Sequence, residues 1–210
     1  YDELPLREYG TIIHGNSLRV DWADAVPAAD LDYIIGNPPF IGYSNLSDDQ
    51  KKDRADIFGK SGGVLDYVAC WYKKAADFTR GSHIRCAFVS TNSICQGQQV
   101  EPLWRPLFED GVSIDFAHKT FVWNSEASDK ANVHVVVVGF SRQHNVSPLI
   151  FDALGERKAD HINGYLADAP NVFVAKSSRP VCNVPGMSRG GGAGDWGFLT
   201  LDEEEASRLQ

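Results

Sequence analysis

The chain of 210 residues lacks long hydrophobic runs and the features of an export signal. No apolar stretch approaches the roughly 18 residues that a membrane-spanning helix requires. The first residues, YDELPLREYG, contain neither the basic region nor the apolar region of a secretory signal. We therefore expect a soluble cytoplasmic protein with no membrane partner.

The sequence is also poor in metal-binding and disulfide patterns. The four cysteines, Cys70, Cys86, Cys95 and Cys182, show no CxxC spacing and no accompanying pair of histidines. Neither a zinc site nor a dense disulfide framework is predicted, and we interpret the four as reduced thiols packed as small apolar side chains. The six histidines form no HExxH motif and no facial triad, so we predict no metal.

Positive charge is in deficit. The chain has 20 Lys and Arg residues against 28 Asp and Glu residues, a formal net charge of -8. This balance disfavours sequence-independent binding to nucleic acid or to an anionic membrane. If the protein acts on nucleic acid, a local patch or another segment must supply the contact with the phosphates. Otherwise the composition, with 43% hydrophobic and 23% charged residues, is that of a globular domain.

Apolar runs and helical periodicity alternate along the first two thirds of the chain, which is typical of an α/β fold. A strand begins at Thr11 and breaks at Gly15. Further strands are predicted at 31–35, 85–90, 113–121 and 133–140, and helices at 64–78 and 100–109. The polar stretch 41–63 reads as a long surface loop with one helical turn, which is usually functional or disordered.

The strongest signal is Asn37-Pro38-Pro39-Phe40, directly after a predicted strand. Proline fixes its own φ and holds the preceding residue extended, so this backbone is stiff. The Asn37 side chain and the Pro38 carbonyl offer two hydrogen-bond acceptors that could hold the two hydrogens of an amino group. Phe40 offers a flat face on which a ring could stack. The alternative is a turn that ends the strand without any chemistry.

This tetrapeptide resembles the (Asp/Asn/Ser)-Pro-Pro-(Tyr/Phe/Trp) motif of the S-adenosylmethionine-dependent DNA amino-methyltransferases, which modify adenine N6 or cytosine N4. The resemblance implies a Rossmann-like methyltransferase sheet, S-adenosylmethionine as cofactor and double-stranded DNA as substrate. It implies that Asn37, Pro38, Pro39 and Phe40 are the catalytic residues. Asn at position 37 favours adenine N6 over cytosine N4.

The neighbouring segments follow the same family order. The segment HGNSL resembles the strand end that contacts the cofactor, which implies cofactor binding by Asn16 and Ser17. The helix LDYVACWYKKA implies further cofactor contacts by Asp66 and Tyr67. The alternatives are a plain turn at Asn16 and an ordinary acidic helix start at Asp66.

A hairpin in the same family carries an aromatic residue that packs on the flipped base. FAHKTFVWNSEA followed by ANVHVVVVGF resembles this hairpin. By position the base-stacking residue is Phe121, with Trp123 the less favoured choice. On composition alone Phe121 reads as a core residue.

Residues 11–142 carry the resemblance, and the long loop after Phe40 is similar to type II enzymes that fuse restriction, methylation and target recognition. We predict a partial methyltransferase domain over 1–142 and a loosely structured connecting region over 143–210, leading towards a target-recognition domain that the chain does not contain. The family's Gly-rich cofactor loop belongs to a βαβ unit of about 30 residues, yet only ten residues precede Thr11. We therefore interpret the chain as the C-terminal portion of the sheet in a longer polypeptide. We expect it to be inactive alone, and we expect other segments to supply most of the contacts with DNA.

Two other functions remain open. A similar Asn-Pro-Pro-aromatic sequence occurs in protein-glutamine and ribosomal-RNA-guanine methyltransferases, because amide and amine nitrogens pose the same chemical problem. The long loop after Phe40 and the extension beyond residue 143 favour a DNA substrate instead. The third possibility is a catalytically silent α/β module that binds DNA or a partner protein.

Overall fold

The computed structural model describes residues 10, 12–123, 133–143 and 147–174. Within these ranges four α-helices and six strands form a mixed α/β arrangement. The helices are α1 (Trp22–Ala25), α2 (Asp48–Phe58), α3 (Ala69–Phe78) and α4 (Val100–Glu109). The strands are β1 (Tyr33–Gly36), β2 (Arg85–Thr91), β3 (Ser113–Trp123), β4 (Val133–Ser141), β5 (Leu149–Asp152) and β6 (Gly155–Lys158).

The six strands form one sheet in the order β1-β2-β4-β3-β5-β6. β1 pairs with β2 in parallel, whereas β2 and β3 both pair antiparallel with β4. It follows that β1, β2 and β3 run in the same direction and end at the same edge of the sheet. In open α/β sheets ligands bind at this carboxyl edge.

The core between α3, α4 and the sheet is built around the fully buried ring of Tyr72. Its centroid lies 5.3 Å from those of Phe88 and Phe140 and 5.5 Å from that of Trp104. The Tyr72 hydroxyl lies 2.8 Å from the Ser90 hydroxyl, which satisfies both buried polar groups. Each aromatic pair adds about 0.5–1.5 kcal/mol beyond the burial of its area, so this cluster fixes α3 against β2 and β4.

Three of the cysteines are packed in the interior, as predicted. Cys70, Cys86 and Cys95 are buried and carry free thiols. Burial raises the pKa of Cys70 and of Cys86 to about 12 and that of Cys95 to about 11, so these thiols stay protonated and unreactive at neutral pH. Cys182 lies outside the described residues.

Most predicted elements are present, with β1 to β4, α3 and α4 close to their expected positions. α3 begins at Ala69 because a 3₁₀ segment, Gly59–Val64, and a short turn precede it. The strand expected from Thr11 is wrong: residues 12–14 have no regular structure, and Ile12 is 95% exposed. A strand needs a hydrogen-bonded neighbour, and within the described residues no strand of the sheet pairs with this run.

The loop prediction for residues 41–63 is also wrong, because α2 fills half of that stretch. The large apolar residues of α2, Ile57 and Phe58, both lie at its end, so the helix lacks the apolar period by which helices are recognised. A capping box stabilises its start: the Ser47 hydroxyl accepts from the Gln50 N–H, and the Gln50 side chain accepts from the Ser47 N–H at 3.0 Å. Gly59, with φ of 60°, ends the helix.

The sheet continues beyond the predicted boundary at residue 142. β5 pairs in parallel with β3, β6 pairs with β5, and Ile150 and Ile162 are fully buried. These strands are four residues long and are separated by a tight turn at Gly155, so they show no periodicity in the sequence. The division into residues 1–142 and 143–210 stays a prediction.

Candidate active site

The segment Asn37-Pro38-Pro39-Phe40 lies directly after β1, at the carboxyl edge of the sheet. Asn37 and Pro39 are exposed, Pro38 is buried and Phe40 is half-buried. The segment is thus anchored by Pro38 while it presents the Asn37 side chain to solvent.

The backbone after Phe40 is fixed to the segment that leads into α3. The Ile41 N–H donates to the Pro39 carbonyl at 3.2 Å, which closes a tight turn around Phe40. The Ile41 carbonyl in turn accepts from the Tyr67 N–H at 2.9 Å. These two bonds orient the motif relative to the helix that follows it.

The two acceptors predicted for an amino group are the Asn37 side chain and the Pro38 carbonyl. Within the described residues no group donates to the Asn37 side chain or to the Pro38 carbonyl. An exposed amide oxygen beside a backbone carbonyl on a stiff segment can accept both hydrogens of one –NH₂ group.

Asp66 is 7% exposed, and both of its carboxylate oxygens are engaged. Oδ1 accepts from the Tyr43 N–H at 2.8 Å, and Oδ2 accepts from the Ser93 hydroxyl. The Asp66 N–H donates to the Gln99 side chain at 3.1 Å. Asp66 therefore connects the loop after Phe40 to the segment after β2. Its contact with a cofactor remains a prediction.

Asn16 forms a tight turn in which its own side chain takes part. Its Oδ1 accepts from the Leu18 N–H at 2.9 Å, and its backbone carbonyl accepts from the N–H groups of Arg19 and Val20 at 2.8 and 3.0 Å. Its Nδ2 donates to Asp53 Oδ2 at 2.9 Å. The residue is exposed, and one N–H and one lone pair of the amide remain after these bonds.

The turn at Asn16 is held against α3 by long side chains. Ser17 accepts from Trp22 Nε1 through its carbonyl at 2.8 Å and from Trp71 Nε1 through its hydroxyl at 3.1 Å. Lys74 donates to the carbonyls of Leu18 and Val20, and partial burial lowers its pKa. The predicted cofactor residues Asn16 and Ser17 thus belong to a rigid turn on α3.

Tyr67 is 4% exposed and its hydroxyl donates to Asp53 Oδ2 at 2.7 Å. Burial, together with this hydrogen bond, raises the pKa of Tyr67 to about 12. Its ring packs in a small hydrophobic cluster of four buried residues, Leu18, Leu46, Tyr67 and Cys70. This cluster joins the turn at Asn16, the loop after Phe40 and α3 beneath the site.

Sequence reasoning missed Asp53, at which Asn16 and Tyr67 meet. Asp53 is one of several acidic residues in the polar helix α2, and its type and spacing carry no signal. The capping box at Ser47 could have indicated the helix. Asp53 is buried because α2 packs against the turn at Asn16, and the sequence alone does not indicate this packing.

Phe121 lies near the end of β3, at the same edge of the sheet as residues 37–40. It pairs with Val135 of β4, which also pairs with Thr91 at the end of β2. Phe121 is half-buried, and its ring centroid is 4.7 Å from that of His118. This position suits the predicted stacking on a base, which remains a prediction.

The described part of the chain contains no cluster of three or more His, Cys, Asp or Glu side chains that could hold a metal ion. Across these same residues no helix is both long and apolar enough to cross a bilayer.

A mixed sheet with an Asn-Pro-Pro-Phe segment at the carboxyl end of a parallel strand defines the class of Rossmann-like methyltransferase folds. A family model described as "MmeI, DNA-methyltransferase domain" matches residues 1–152, and the chain belongs to this family. The resemblance to DNA methyltransferases of fused restriction-modification enzymes, and the Rossmann-like α/β fold class, are thereby confirmed.

Two relatives illustrate the extent of the similarity. DNA methyltransferase A of Bacillus subtilis (strain 168) is 36% identical over 201 residues, which cover 93% of this chain and 23% of that protein. The type IIL restriction-modification enzyme MmeI, solved in complex with DNA, is 39% identical with a TM-score of 0.91. That match covers all of this chain and 29% of the MmeI chain. The chain therefore spans less than a third of either relative.

Proposed function

We propose that this chain carries the catalytic motif of a DNA methyltransferase that transfers a methyl group from S-adenosylmethionine to the exocyclic N6 of adenine. The observation that carries the proposal is a pair of acceptors at the carboxyl edge of the sheet, the Asn37 side chain and the Pro38 carbonyl, to which no group of the described residues donates. Membership of the MmeI DNA-methyltransferase domain family supports DNA as the substrate.

The exocyclic amine of adenine is a poor nucleophile because its lone pair is delocalised into the ring. If Asn37 and the Pro38 carbonyl each accept one N–H, the nitrogen is drawn towards tetrahedral geometry and its lone pair becomes localised. The stiff Pro-Pro backbone holds the acceptors in place, so catalysis arises from position and electrostatics. No covalent intermediate with the enzyme is required.

A target base inside a duplex must leave the stack before its amine can reach these acceptors, at a cost of a few kcal/mol. The half-buried ring of Phe40 lies next to the acceptors in the chain and offers a face for stacking. Phe121, at the same edge of the sheet, offers a second aromatic surface. Phe40 lacks a hydroxyl group, so stacking is its role.

The turn at Asn16 fits S-adenosylmethionine, which supplies an activated methyl group on its sulfonium. Asn16 is exposed and keeps one donor and one acceptor free, which matches the edge of an adenine ring. Ser17, Asp66 and Tyr67 support this turn and the adjoining loop from behind, through their hydrogen bonds.

Other parts of the function are proposed to lie in segments outside these 210 residues. The chain spans 23% and 29% of the two relatives and carries a net charge of -8. We therefore expect other segments to supply most of the phosphate contacts, the rest of the cofactor pocket and the recognition of the DNA sequence. The 210-residue chain alone should be inactive, and the complete protein should belong to a restriction-modification system.

The test uses the full natural polypeptide that contains this chain, incubated with duplex DNA and methyl-labelled S-adenosylmethionine. The DNA is then digested to nucleosides and the labelled nucleoside is identified. We expect N6-methyladenine, and we expect Asn37→Ala to reduce the rate by about 10²–10³-fold, as loss of one preorganised polar contact does elsewhere. Asn45→Ala is the matched control, because Asn45 is an exposed amide with one long contact to Ser44 at 3.5 Å.

Each other outcome contradicts a defined part of the proposal. Label in N4-methylcytosine would reject adenine as the target but keep the mechanism. Label in protein or RNA would indicate a glutamine or guanine methyltransferase. Absence of any transfer would indicate a silent binding module.

A further inference from the structure

Asp53 is a buried carboxylate on which three side chains from two other segments converge. It is 4% exposed. Arg19 Nε donates to Oδ1 at 2.7 Å, while the Tyr67 hydroxyl and Asn16 Nδ2 donate to Oδ2 at 2.7 and 2.9 Å. The residue has no place in the catalytic scheme above.

The carboxylate stays ionised at neutral pH. Burial alone would raise the pKa of Asp53, but the hydrogen bonds from Arg19, Tyr67 and Asn16 outweigh burial and lower it. A buried charge is tolerated only with such partners. The three donors are therefore required by the buried carboxylate, and each is held where it can reach Asp53.

An ionised carboxylate can only accept hydrogen bonds. Asn16 must therefore turn its –NH₂ group towards Asp53, and the opposite end of the same amide accepts from the Leu18 N–H. The orientation of the Asn16 amide is thus determined from both ends. The donor and the acceptor that it presents outward cannot exchange places.

Asp53 also connects the turn at Asn16 to the catalytic segment. The Tyr67 hydroxyl is bound to Asp53, while the Tyr67 N–H binds the Ile41 carbonyl directly after Phe40. One carboxylate therefore holds both the predicted cofactor turn and the residue that anchors the motif loop.

We propose that Asp53 is a positioning residue for the cofactor, which acts by fixing the orientation of the Asn16 amide and the place of Tyr67. This inference rests on the proposed function, because it assigns the outward face of Asn16 to S-adenosylmethionine. Asp53 touches neither the cofactor nor the substrate amine, and its effect is on binding of the cofactor.

The test is Asp53→Asn in the full natural polypeptide. The substitution keeps the size of the side chain but leaves one acceptor oxygen for three donors, so the Asn16 amide loses its fixed orientation. We expect KM for S-adenosylmethionine and its dissociation constant, measured by calorimetry, to rise about 10-fold, as for the loss of one charge-assisted hydrogen bond. With saturating cofactor, kcat should stay within about twofold of wild type, because the bond from the Tyr67 N–H to the Ile41 carbonyl does not involve the Asp53 side chain.

The matched control is Asp49→Asn, which removes the same charge from the same helix. The Asp49 side chain is 87% exposed and its oxygen lies 3.9 Å from Arg19, and it contacts neither Asn16 nor Tyr67. The dissociation constant of the Asp49→Asn variant for S-adenosylmethionine should stay within about twofold of wild type.

A double-mutant cycle shows whether Asp53 acts through Asn16. In an Asn16→Ala background, Asp53→Asn should weaken cofactor binding by less than about threefold, because the amide that it orients is absent. If Asp53→Asn does not fold, Tyr67→Phe replaces it, since this change keeps the packed ring and removes one donor. It should raise the dissociation constant about threefold.

The outcomes separate this inference from the proposed function. A wild-type protein that binds S-adenosylmethionine but methylates no DNA refutes the proposed reaction, while the binding measurements still decide the role of Asp53. Unchanged binding in Asp53→Asn, or fully additive effects with Asn16→Ala, overturns the role of Asp53. A wild-type protein that binds no S-adenosylmethionine overturns both.

Discussion

The backbone N–H of Tyr43 donates a hydrogen bond to the buried carboxylate of Asp66 at 2.8 Å. The partners are 23 residues apart in the chain, and the bond holds the loop after Phe40 against the segment that precedes α3. Because the Ser93 hydroxyl occupies the other oxygen of Asp66, the carboxylate joins two loops that both follow strands at the same edge of the sheet. These two bonds therefore fix the course of the loop that follows residues 37–40.

This arrangement predicts a local effect of Asp66→Ala. Removal of both oxygens leaves the Tyr43 N–H without its acceptor, at a cost of about 1–3 kcal/mol. In the full natural polypeptide, amide hydrogen exchange in peptides that cover residues 41–46 should become about 10–100-fold faster. Asp66→Asn should change exchange by less than about tenfold, since one oxygen remains and the Ser93 hydroxyl can rotate to accept instead. Equal exchange in wild type and Asp66→Ala would contradict this anchoring role.

The proposed stacking of Phe40 on the target base predicts that methylation requires an aromatic ring at this position. Phe40→Tyr keeps the aromatic face and should keep kcat/KM within about threefold, whereas Phe40→Leu should lower it about 10–100-fold, as for loss of one base–aromatic contact. Methylation kinetics give the rate, and 2-aminopurine at the target position reports base flipping by fluorescence. Tyr43→Leu is the control, because Tyr43 is 41% exposed and binds Asp66 through its backbone N–H, which the substitution keeps. Equal rates for Phe40→Leu and wild type would exclude base stacking by Phe40.

The fold, and the position of residues 37–40 directly after a strand, were predictable where local patterns and tertiary packing agree. β1, β2 and β4 are short apolar runs with sharp ends, and the Pro-Pro pair indicates that β1 ends before Asn37, which agrees with its last residue, Gly36. α3 and α4 carry one apolar face each, which packs on the sheet. In β2, β4, α3 and α4 the residues that form the local structure also form the core.

The rest of the site could not be predicted because its contacts are long-range and polar. α2 has large apolar residues only at its end, and the buried state of Asp53 depends on partners 34 and 37 residues earlier in the chain. The apolar residues at 12–13 led to the opposite error, the prediction of an element that is not there. They match a strand pattern but pair with no strand of the described sheet. A pattern within one segment does not show whether another segment packs against it or pairs with it.

Asp110 predicts a pH dependence of stability. Burial would raise its pKa, but hydrogen bonds from Arg142 and Arg80 outweigh burial and lower it. A carboxylate whose pKa is lower in the folded state stabilises the fold above its unfolded pKa of about 4, and this stabilisation is lost as the pH falls through the folded pKa. Asp110→Asn should therefore lower the free energy of unfolding by about 2 kcal/mol at pH 7.

The check is denaturant unfolding of wild type and Asp110→Asn across the acid range, where the difference between the two proteins should shrink below about pH 4. Glu109→Gln is the control, because Glu109 is exposed at the end of α4. A difference that stays constant down to the most acidic pH would show that Asp110 contributes through packing and not through its charge.

Asp115 predicts a pH dependence of stability with the sign opposite to that of Asp110. It is 7% exposed at an irregularity of β3, and its Oδ2 has no hydrogen-bond partner within the described residues. Burial raises its pKa, only partly opposed by a hydrogen bond with Ser141 and by the charge of Arg85. The folded state then binds a proton more readily than the unfolded state, so ionised Asp115 destabilises the fold at neutral pH, and this cost disappears as the pH falls through the folded pKa.

Asp115→Asn removes that charge and should raise the midpoint of denaturant unfolding at pH 7.5. The difference from wild type should vanish in acid, where wild-type Asp115 takes up its proton. Asp30→Asn, a change at an exposed position, should leave the midpoint unchanged at both pH values. Asp115 and the exposed side chains of Tyr33 and Ile35 line a cavity of about 150 Å³ on the sheet. A lower midpoint for Asp115→Asn would contradict the prediction, because it would show that the hydrogen bond with Ser141 and the charge of Arg85 outweigh the cost of burying the carboxylate.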